Sequence, residues 1–110
     1  MSFGYAKRRV DKNLAETVGA FRKLGCSVWI VNAEVDLVAG WGGLSILCEV
    51  KNGALAPSRR KLTTAQVKFR ETWTGGVRLV QNLNDVENTV RCLKSWHAAI
   101  CQINHGAVSG

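Results

Sequence analysis

Asp36, Glu49 and Lys51 are the residues of this chain whose types and spacing could do hydrolytic chemistry. Glu49 and Lys51 are two residues apart in a run rich in Ile, Leu and Val, so on a strand their side chains leave the same face. Two neighbouring carboxylates repel each other, whereas a divalent cation such as Mg²⁺ or Mn²⁺ removes that repulsion and can acidify a bound water. A lysine beside them could orient that water, help deprotonate it, or stabilise negative charge on a phosphate. The three residues therefore predict a metal-dependent hydrolytic site.

A glycine pair decides whether the two carboxylates meet. The apolar runs at 35–39 and 44–51 are typical of strands, and Gly42-Gly43 between them can adopt the positive φ values of a tight hairpin turn. A hairpin that turns on this pair places Asp36 directly opposite Glu49. Cβ atoms of such cross-strand pairs are ~4.5–5.5 Å apart, close enough for both carboxylates to bind one cation. A longer turn would move them to a diagonal of the same face.

The elements around this hairpin predict the fold class. The predicted order is a helix from Asp11 to a stop at Gly25, strands at 27–31, 35–39 and 44–51, a helix from Thr63 to a stop at Gly75-Gly76, a strand at 77–80 and a last helix from about Asn84. This α-β-β-β-α-β-α order favours an α/β fold with a mixed, four-stranded sheet flanked by helices. The chain is long enough for one domain, at 11–103, with a basic N-terminal arm at 1–10 and a loose C-terminal tail at 104–110.

Two of the predicted helices begin with a capping-box pattern. Thr63 is followed three residues later by Gln66, and Asn84 by Glu87. In this motif the first side chain accepts a hydrogen bond from the helix backbone and the second side chain reaches back to the cap. The motif therefore explains Gln66 without any catalytic role.

The charge of the chain favours a polyanionic partner. Fifteen Lys and Arg against eight Asp and Glu give a net charge of +7, and nucleic acid is the obvious candidate, although a basic surface can also serve solubility alone. Phosphate contacts are expected from basic residues of the arm and of the segment after the Lys51 strand, each of which is otherwise a solvated surface residue. These candidates are Lys7, Arg8, Arg9, Arg59, Arg60, Lys61 and Lys68.

The remaining reactive or aromatic side chains point to no second chemistry. The four cysteines contain no CxxC pair and lie in apolar surroundings, and His97 and His105 have no spacing that suggests metal ligands. Trp41, at the predicted hairpin tip, could stack on a base, pack at a dimer interface or pack within the domain. Core positions are predicted for Trp29, Trp73 and Trp96.

No signal peptide or long apolar segment is visible in the sequence. The expectation is a soluble protein of a reducing cytoplasm, with no membrane partner.

Asp36 followed by Glu49-Val50-Lys51 after a glycine-rich hairpin resembles the catalytic core of the PD-(D/E)XK nuclease superfamily. Within it, the chain is most similar to small stand-alone VRR-NUC type proteins encoded by bacteriophages. The likeness runs from about Asp11 to Leu93 and includes Glu16, the segment 58–63, Gln66 and Trp73. One departure is Val35, which stands where the family usually has proline before the aspartate.

This resemblance implies a restriction-endonuclease-like core and a Mg²⁺- or Mn²⁺-dependent endonuclease that cuts DNA. Asp36 and Glu49 would bind the metal, with Glu16 of the first helix assisting directly or through water, while Lys51 and Gln66 complete the site. It also implies a homodimer acting on branched DNA such as four-way junctions, in the host cytoplasm if the chain is phage-encoded. Glu34 shares the strand face of Asp36 and is a second candidate ligand.

Three alternatives stay open at this point. Aspartate and glutamate on a hairpin with a nearby lysine are also common as a solvated strand face. A nuclease fold can persist as a DNA-binding or assembly module without turnover, and a structural protein with a basic surface would neither bind nor cut DNA. The complete Asp36, Glu49 and Lys51 set favours the enzyme over the last two.

Overall fold

The computed structural model describes residues 12–31, 33–52 and 63–109, and the side chains of that range up to 103. The elements are α1 (Lys12–Lys23), β1 (Ser27–Ile30), β2 (Leu37–Trp41), β3 (Leu44–Val50), α2 (Thr64–Thr72), β4 (Val77–Val80) and α3 (Leu83–Ser109). The four strands form one sheet in the order β1-β2-β3-β4, with β4 parallel to β3 and the other neighbours antiparallel. The predicted α/β class, the mixed sheet and the element order are confirmed.

The β2–β3 hairpin turns on the glycine pair. Gly42 and Gly43 have φ values of 59° and 84°, which residues other than glycine rarely adopt. Trp41 pairs with Leu44 and the ladder continues to Leu37 opposite Cys48, so the register required by a two-residue turn is confirmed. The second strand begins at Leu37 rather than at residue 35, because the chain bends at residues 33–36 before it enters the sheet.

One face of the sheet, which we call the core face, is covered by α1 and α3. Its buried side chains alternate along β2 and β3 as strand geometry requires. They pack with apolar side chains of both helices, and burial of this kind is the main favourable term in folding. The core comprises Leu14, Val18, Phe21, Cys26, Leu37, Ala39, Ile46, Cys48, Val80, Val86, Val90 and Leu93.

The opposite face, which we call the site face, carries the side chains that alternate with the core residues. Cross-strand pairing aligns Trp29, Val38, Leu47 and Val77 in one row across all four strands. Glu49 lies two residues beyond Leu47 on β3 and thus belongs to the next row of the same face. The sheet therefore separates its apolar core from the predicted chemistry.

Helix α2 connects β3 to β4 and differs from the other two helices. None of its residues is buried, and it packs extensively against no other element among the described residues. Its start is fixed by the predicted capping box: the Gln66 N–H donates to Thr63 Oγ1 at 3.2 Å and the Thr63 N–H donates to Gln66 Oε1 at 2.8 Å. Local hydrogen bonds therefore define where this helix begins.

The start and the end of α3 both differ from prediction. The helix begins at Leu83 with Asn82 as its cap, whose Oδ1 accepts from the Asp85 N–H at 2.9 Å, so the predicted cap at Asn84 is wrong by two residues. Asp85 in turn accepts the Gln81 N–H at 2.9 Å. The backbone then stays helical to Ser109, past the point where a loose tail was predicted.

The core positions predicted for three tryptophans are wrong. Trp29, Trp73 and Trp96 are 69%, 45% and 44% exposed, because each lies on the side of its element turned away from the core. Cys101 is exposed as well, whereas Cys26 and Cys48 pack in the core as predicted. Periodicity alone cannot say which side of an edge strand or a peripheral helix meets a partner.

Within the described residues, none of the helices is both long and apolar enough to cross a bilayer.

Candidate active site

The two predicted carboxylates meet on the site face. Asp36 lies one residue before β2, in the bend that enters the sheet, and its N–H donates to the Cys48 carbonyl at 3.0 Å. The paired ladder ends at Leu37 opposite Cys48, so Asp36 and Glu49 are the next residues on the two strands, and their carboxyl groups interact directly. Both side chains are withdrawn from solvent, with 8% of Asp36 and 2% of Glu49 exposed. A solvated strand face, the plainest alternative from sequence, does not describe this pair.

The backbone of β3 holds the Asp36 carboxylate. Its Oδ2 accepts the Val50 N–H at 2.7 Å. The backbone carbonyl of Asp36 accepts the N–H of Val31, the residue after β1, at 2.8 Å. Asp36 is therefore fixed between the β1 and β3 sides of the sheet, which limits the positions that its second oxygen can reach.

A lysine ammonium and a glutamine amide both contact one oxygen of Glu49. Lys51 Nζ lies 3.6 Å from Glu49 Oε2, as expected for residues two apart on one strand face. The Nε2 of Gln66 donates a hydrogen bond to the same oxygen from α2. Four of the five predicted site residues, Asp36, Glu49, Lys51 and Gln66, are thus brought together.

Gln66 does two jobs with one side chain. Its Oε1 accepts from the Thr63 N–H and completes the capping box, while its Nε2 donates to Glu49. The sequence offered a structural explanation and a catalytic explanation for this residue as alternatives. In the structure the amide has one polar atom for each.

The electrostatics of the pair favour bound positive charge. Burial and then the nearby Asp36 carboxylate raise the pKa of Glu49 to about 7, although Lys51 acts in the opposite direction. The two carboxyl groups also interact through a hydrogen bond, which Glu49 can donate only when it is protonated. A second negative charge at this place is therefore costly until a cation or proton compensates for it.

The donor set fits a hard divalent cation. Carboxylate oxygens are the ligands that Mg²⁺ prefers, and Mg²⁺ commonly uses one or two protein carboxylates together with waters and substrate phosphates. Asp36 and Glu49 would hold it here, because their mutual repulsion and burial are the features that such an ion relieves. Lys51 and Gln66 lie at the same carboxylate and would orient its oxygens.

The other two candidate ligands lie apart from this pair. Glu16 is exposed on α1 and lines a groove with Asn82 and Leu83 at the start of α3. Glu34 is exposed and lines a different groove, against Lys68 of α2. Across residues 12–31, 33–52 and 63–103, no three His, Cys, Asp or Glu side chains lie close enough together to hold one metal ion. The structure therefore does not bring Glu16 to the carboxylates.

Lys68 is the one predicted phosphate contact that the described residues include, and it is exposed on α2. The others, namely Lys7, Arg8, Arg9, Arg59, Arg60 and Lys61, lie outside the described residues.

The Trp41 side chain packs against α3 of the same domain. Its ring meets the edge of the His97 ring at a centroid distance of 5.2 Å, and Lys94 Nζ lies 5.5 Å from the ring centre. Of the roles open from sequence, this contact with α3 corresponds to packing within the domain.

Sequence reasoning overlooked Arg70. It is half-buried on α2, four residues after Gln66, and so lies on the same helix face. That spacing from Gln66 was the available signal.

Comparisons with family models, with curated proteins and with solved structures found no match to this chain.

Proposed function

We propose that this protein is a metal-dependent nuclease that hydrolyses DNA phosphodiester bonds at the Asp36–Glu49 pair. The observation that carries the proposal is a buried pair of carboxylates in which a lysine and a glutamine both contact one oxygen of Glu49. A pair of buried acids is destabilising by itself. Such a cluster is therefore more readily explained by a ligand that it binds than by a contribution to folding.

The residues have separate tasks in this proposal. Asp36 and Glu49 hold Mg²⁺ or Mn²⁺, and a bound ion of this kind supplies positive charge at the phosphate and an acidified water. Lys51 lies where an ammonium can orient the attacking water or stabilise the charge that builds on the phosphate. Gln66 fixes the Glu49 carboxylate and ties it to the first turn of α2.

Nucleic acid is supported as the substrate by charge. The chain carries a net charge of +7, and basic residues flank the site in sequence as well as on α2. Cationic surfaces attract the phosphate backbone and contribute most of its non-specific binding. The preference for DNA, and for branched DNA such as four-way junctions, rests on the resemblance to PD-(D/E)XK nucleases of the VRR-NUC type.

A homodimer completes the proposal, with the second half of α3 as its contact. Trp96, Ile100 and Ile103 are exposed at helical spacing, and the chain contains no Lys, Arg, Asp or Glu from Ser95 to Gly110. Two copies of a strongly basic chain can approach along such an uncharged, apolar surface with little repulsion. Light scattering tests it: a monomer at all concentrations would contradict the dimer and leave the active site unaffected.

The nuclease itself is tested by cleavage of labelled linear, flapped and four-way-junction DNA with Mg²⁺, Mn²⁺ or EDTA. Asp36→Asn and Lys51→Ala are expected to lower cleavage by on the order of a hundredfold or more, because each removes a group at the reacting phosphate. Glu34→Gln is the matched control, since this exposed carboxylate lies close in sequence but apart from the pair. The variant Glu16→Gln tests whether this residue of α1 contributes to cleavage.

A second candidate is a DNA-binding module on the same fold without turnover. It is favoured by one observation: Lys51 and Gln66 already satisfy Glu49 Oε2 from within the protein. It predicts salt-sensitive DNA binding that neither EDTA nor Lys51→Ala changes, and no cleavage with any metal.

A further inference from the structure

One nitrogen of a half-buried cationic side chain on α2 is withdrawn from solvent without a hydrogen-bond partner. Among the described residues, Nη2 of Arg70 is the buried side-chain nitrogen or oxygen for which the structure provides no acceptor. A guanidinium carries five N–H donors and stays charged at any physiological pH. Leaving a donor of a charged group buried and unpaired costs about 1–3 kcal/mol or more.

Two structural explanations account for only part of this arrangement. Arg70 lies in the last turn of α2, where positive charge favours the helix dipole, and its aliphatic stem can cover apolar surface. An exposed lysine would achieve the first effect, and a methionine the second, without burying an unsatisfied N–H. What remains unexplained is the unpaired Nη2 of the head group, which an incoming acceptor would satisfy.

The position of Arg70 connects that acceptor to the carboxylate pair. Gln66 and Arg70 are four residues apart and share one face of α2, and Gln66 contacts Glu49. One helical turn advances ~5.4 Å, whereas successive phosphates of one strand in duplex DNA are separated by ~3.4 Å along its axis. A strand whose scissile phosphate lies at Glu49 would therefore bring a phosphate one or two nucleotides away towards Arg70.

We propose that Arg70 binds a backbone phosphate one or two nucleotides from the scissile bond. The inference rests on the proposed function and deepens it, since it assigns a phosphate site that fixes the register of the strand in the active site. Guanidinium groups are well suited to this task because two of their N–H groups can bind one phosphate. Arg91 is exposed on α3, the helix that packs on the opposite face of the sheet, and serves as the comparison.

The test measures binding of a short labelled DNA duplex and of its single strand in EDTA, over a series of salt concentrations, so that no cleavage is required. Arg70→Met keeps the volume of the stem and removes the head group. We expect about tenfold weaker binding and a loss of about one unit from the slope of log affinity against log salt. Arg91→Met, the matched control, removes the same charge from an exposed position on α3 and should have a clearly smaller effect.

Thermal unfolding separates a ligand-binding role from a structural one. If Arg70 serves a ligand, Arg70→Met unfolds at an equal or higher temperature than the native chain, because it removes an unsatisfied buried donor. Inorganic phosphate should raise the unfolding temperature of the native chain more than that of Arg70→Met. Lower stability of Arg70→Met together with native DNA affinity would overturn the proposal.

The outcome is distinguishable from that of the nuclease proposal. If no metal supports cleavage but Arg70→Met weakens binding as described, the enzyme is refuted and the phosphate site stands. If the native chain cleaves DNA and Arg70→Met binds and cleaves as well as the native chain, the phosphate site is refuted and the enzyme stands.

Discussion

The core face of the sheet is covered by apolar side chains of α1 and α3, whereas on the site face Gln66 of α2 donates a hydrogen bond to Glu49. On the core face Phe21, Leu37 and Leu93 are fully buried. On the site face Asp36 and Glu49 are buried, and burial together with Asp36 disfavours the charged form of Glu49. The difference teaches that stability and chemistry are assigned to opposite sides of one sheet. Each can then be changed without abolishing the other.

The largest expected effect is on the core face. Phe21→Ala should lower the free energy of unfolding by about 3–5 kcal/mol, because it leaves a cavity where a ring is fully buried. Val67→Ala on α2 removes apolar atoms from a side chain that is 42% exposed and should cost less than about 1 kcal/mol. Denaturant titration measures both, and equal losses would break the comparison between the two faces.

The next effect is at Glu49, where activity and stability should change in opposite directions. Glu49→Gln removes one charge of the pair while keeping its size. We expect cleavage to fall by on the order of a hundredfold or more, and the metal-free chain to gain about 1–2 kcal/mol at pH 8, since the desolvated and repelled carboxylate is gone. A variant that is both inactive and less stable would contradict the assignment of this residue to chemistry.

The pH dependence sharpens the same point. The pKa of Glu49 is about 7 in the folded chain against an ordinary value of 4.5, so between these values the folded state binds more protons than the unfolded state. The contribution of Glu49 to the stability of the metal-free chain should therefore be complete below pH 4.5. The free energy of unfolding should then fall by about 1–3 kcal/mol as the pH rises through 7. Chemical denaturation in EDTA across this range measures it, and Glu49→Gln should flatten this part of the profile.

The smallest effect separates the two tasks of Gln66. Gln66→Glu keeps an oxygen for the Thr63 N–H but replaces the amide donor at Glu49 with a third carboxylate. We expect it to destabilise the chain at pH 8 by about 1 kcal/mol and to recover most of that loss at pH 5. Thr63→Ala, which removes only the cap, should cost about 1 kcal/mol at both pH values. Equal pH profiles for the two variants would show that the Glu49 contact contributes little.

The part of the site that sequence predicted depends on local rules. Gly42-Gly43 specifies a two-residue turn, a two-residue turn specifies register, and register places Leu37 opposite Cys48, which brings the neighbouring Asp36 and Glu49 together. The Thr63–Gln66 motif likewise fixes the start of α2 through contacts three residues apart. Such features need only neighbours along the chain or across one hairpin. They were therefore accessible before the structure.

The features that sequence did not predict depend on packing between distant elements. Glu16 has the right charge and helix, yet the helix turns it towards the start of α3. Trp29 resembles a core residue in its strand but lies on the open face of an edge strand. Glu49 is withdrawn from solvent and accepts a hydrogen bond from Gln66 of α2, which alternation along β3 could not indicate.

The two-residue turn at Gly42-Gly43 has a consequence for how this chain can vary in length. Side chains alternate along a strand. One residue inserted between Asp36 and the glycines would therefore shift every pair between the insertion and Asp36 by one position and send Asp36 to the core side. The composition and charge of the chain would be almost unchanged, and the carboxylate pair would be lost. Length variation that preserves the site is therefore expected outside the hairpin.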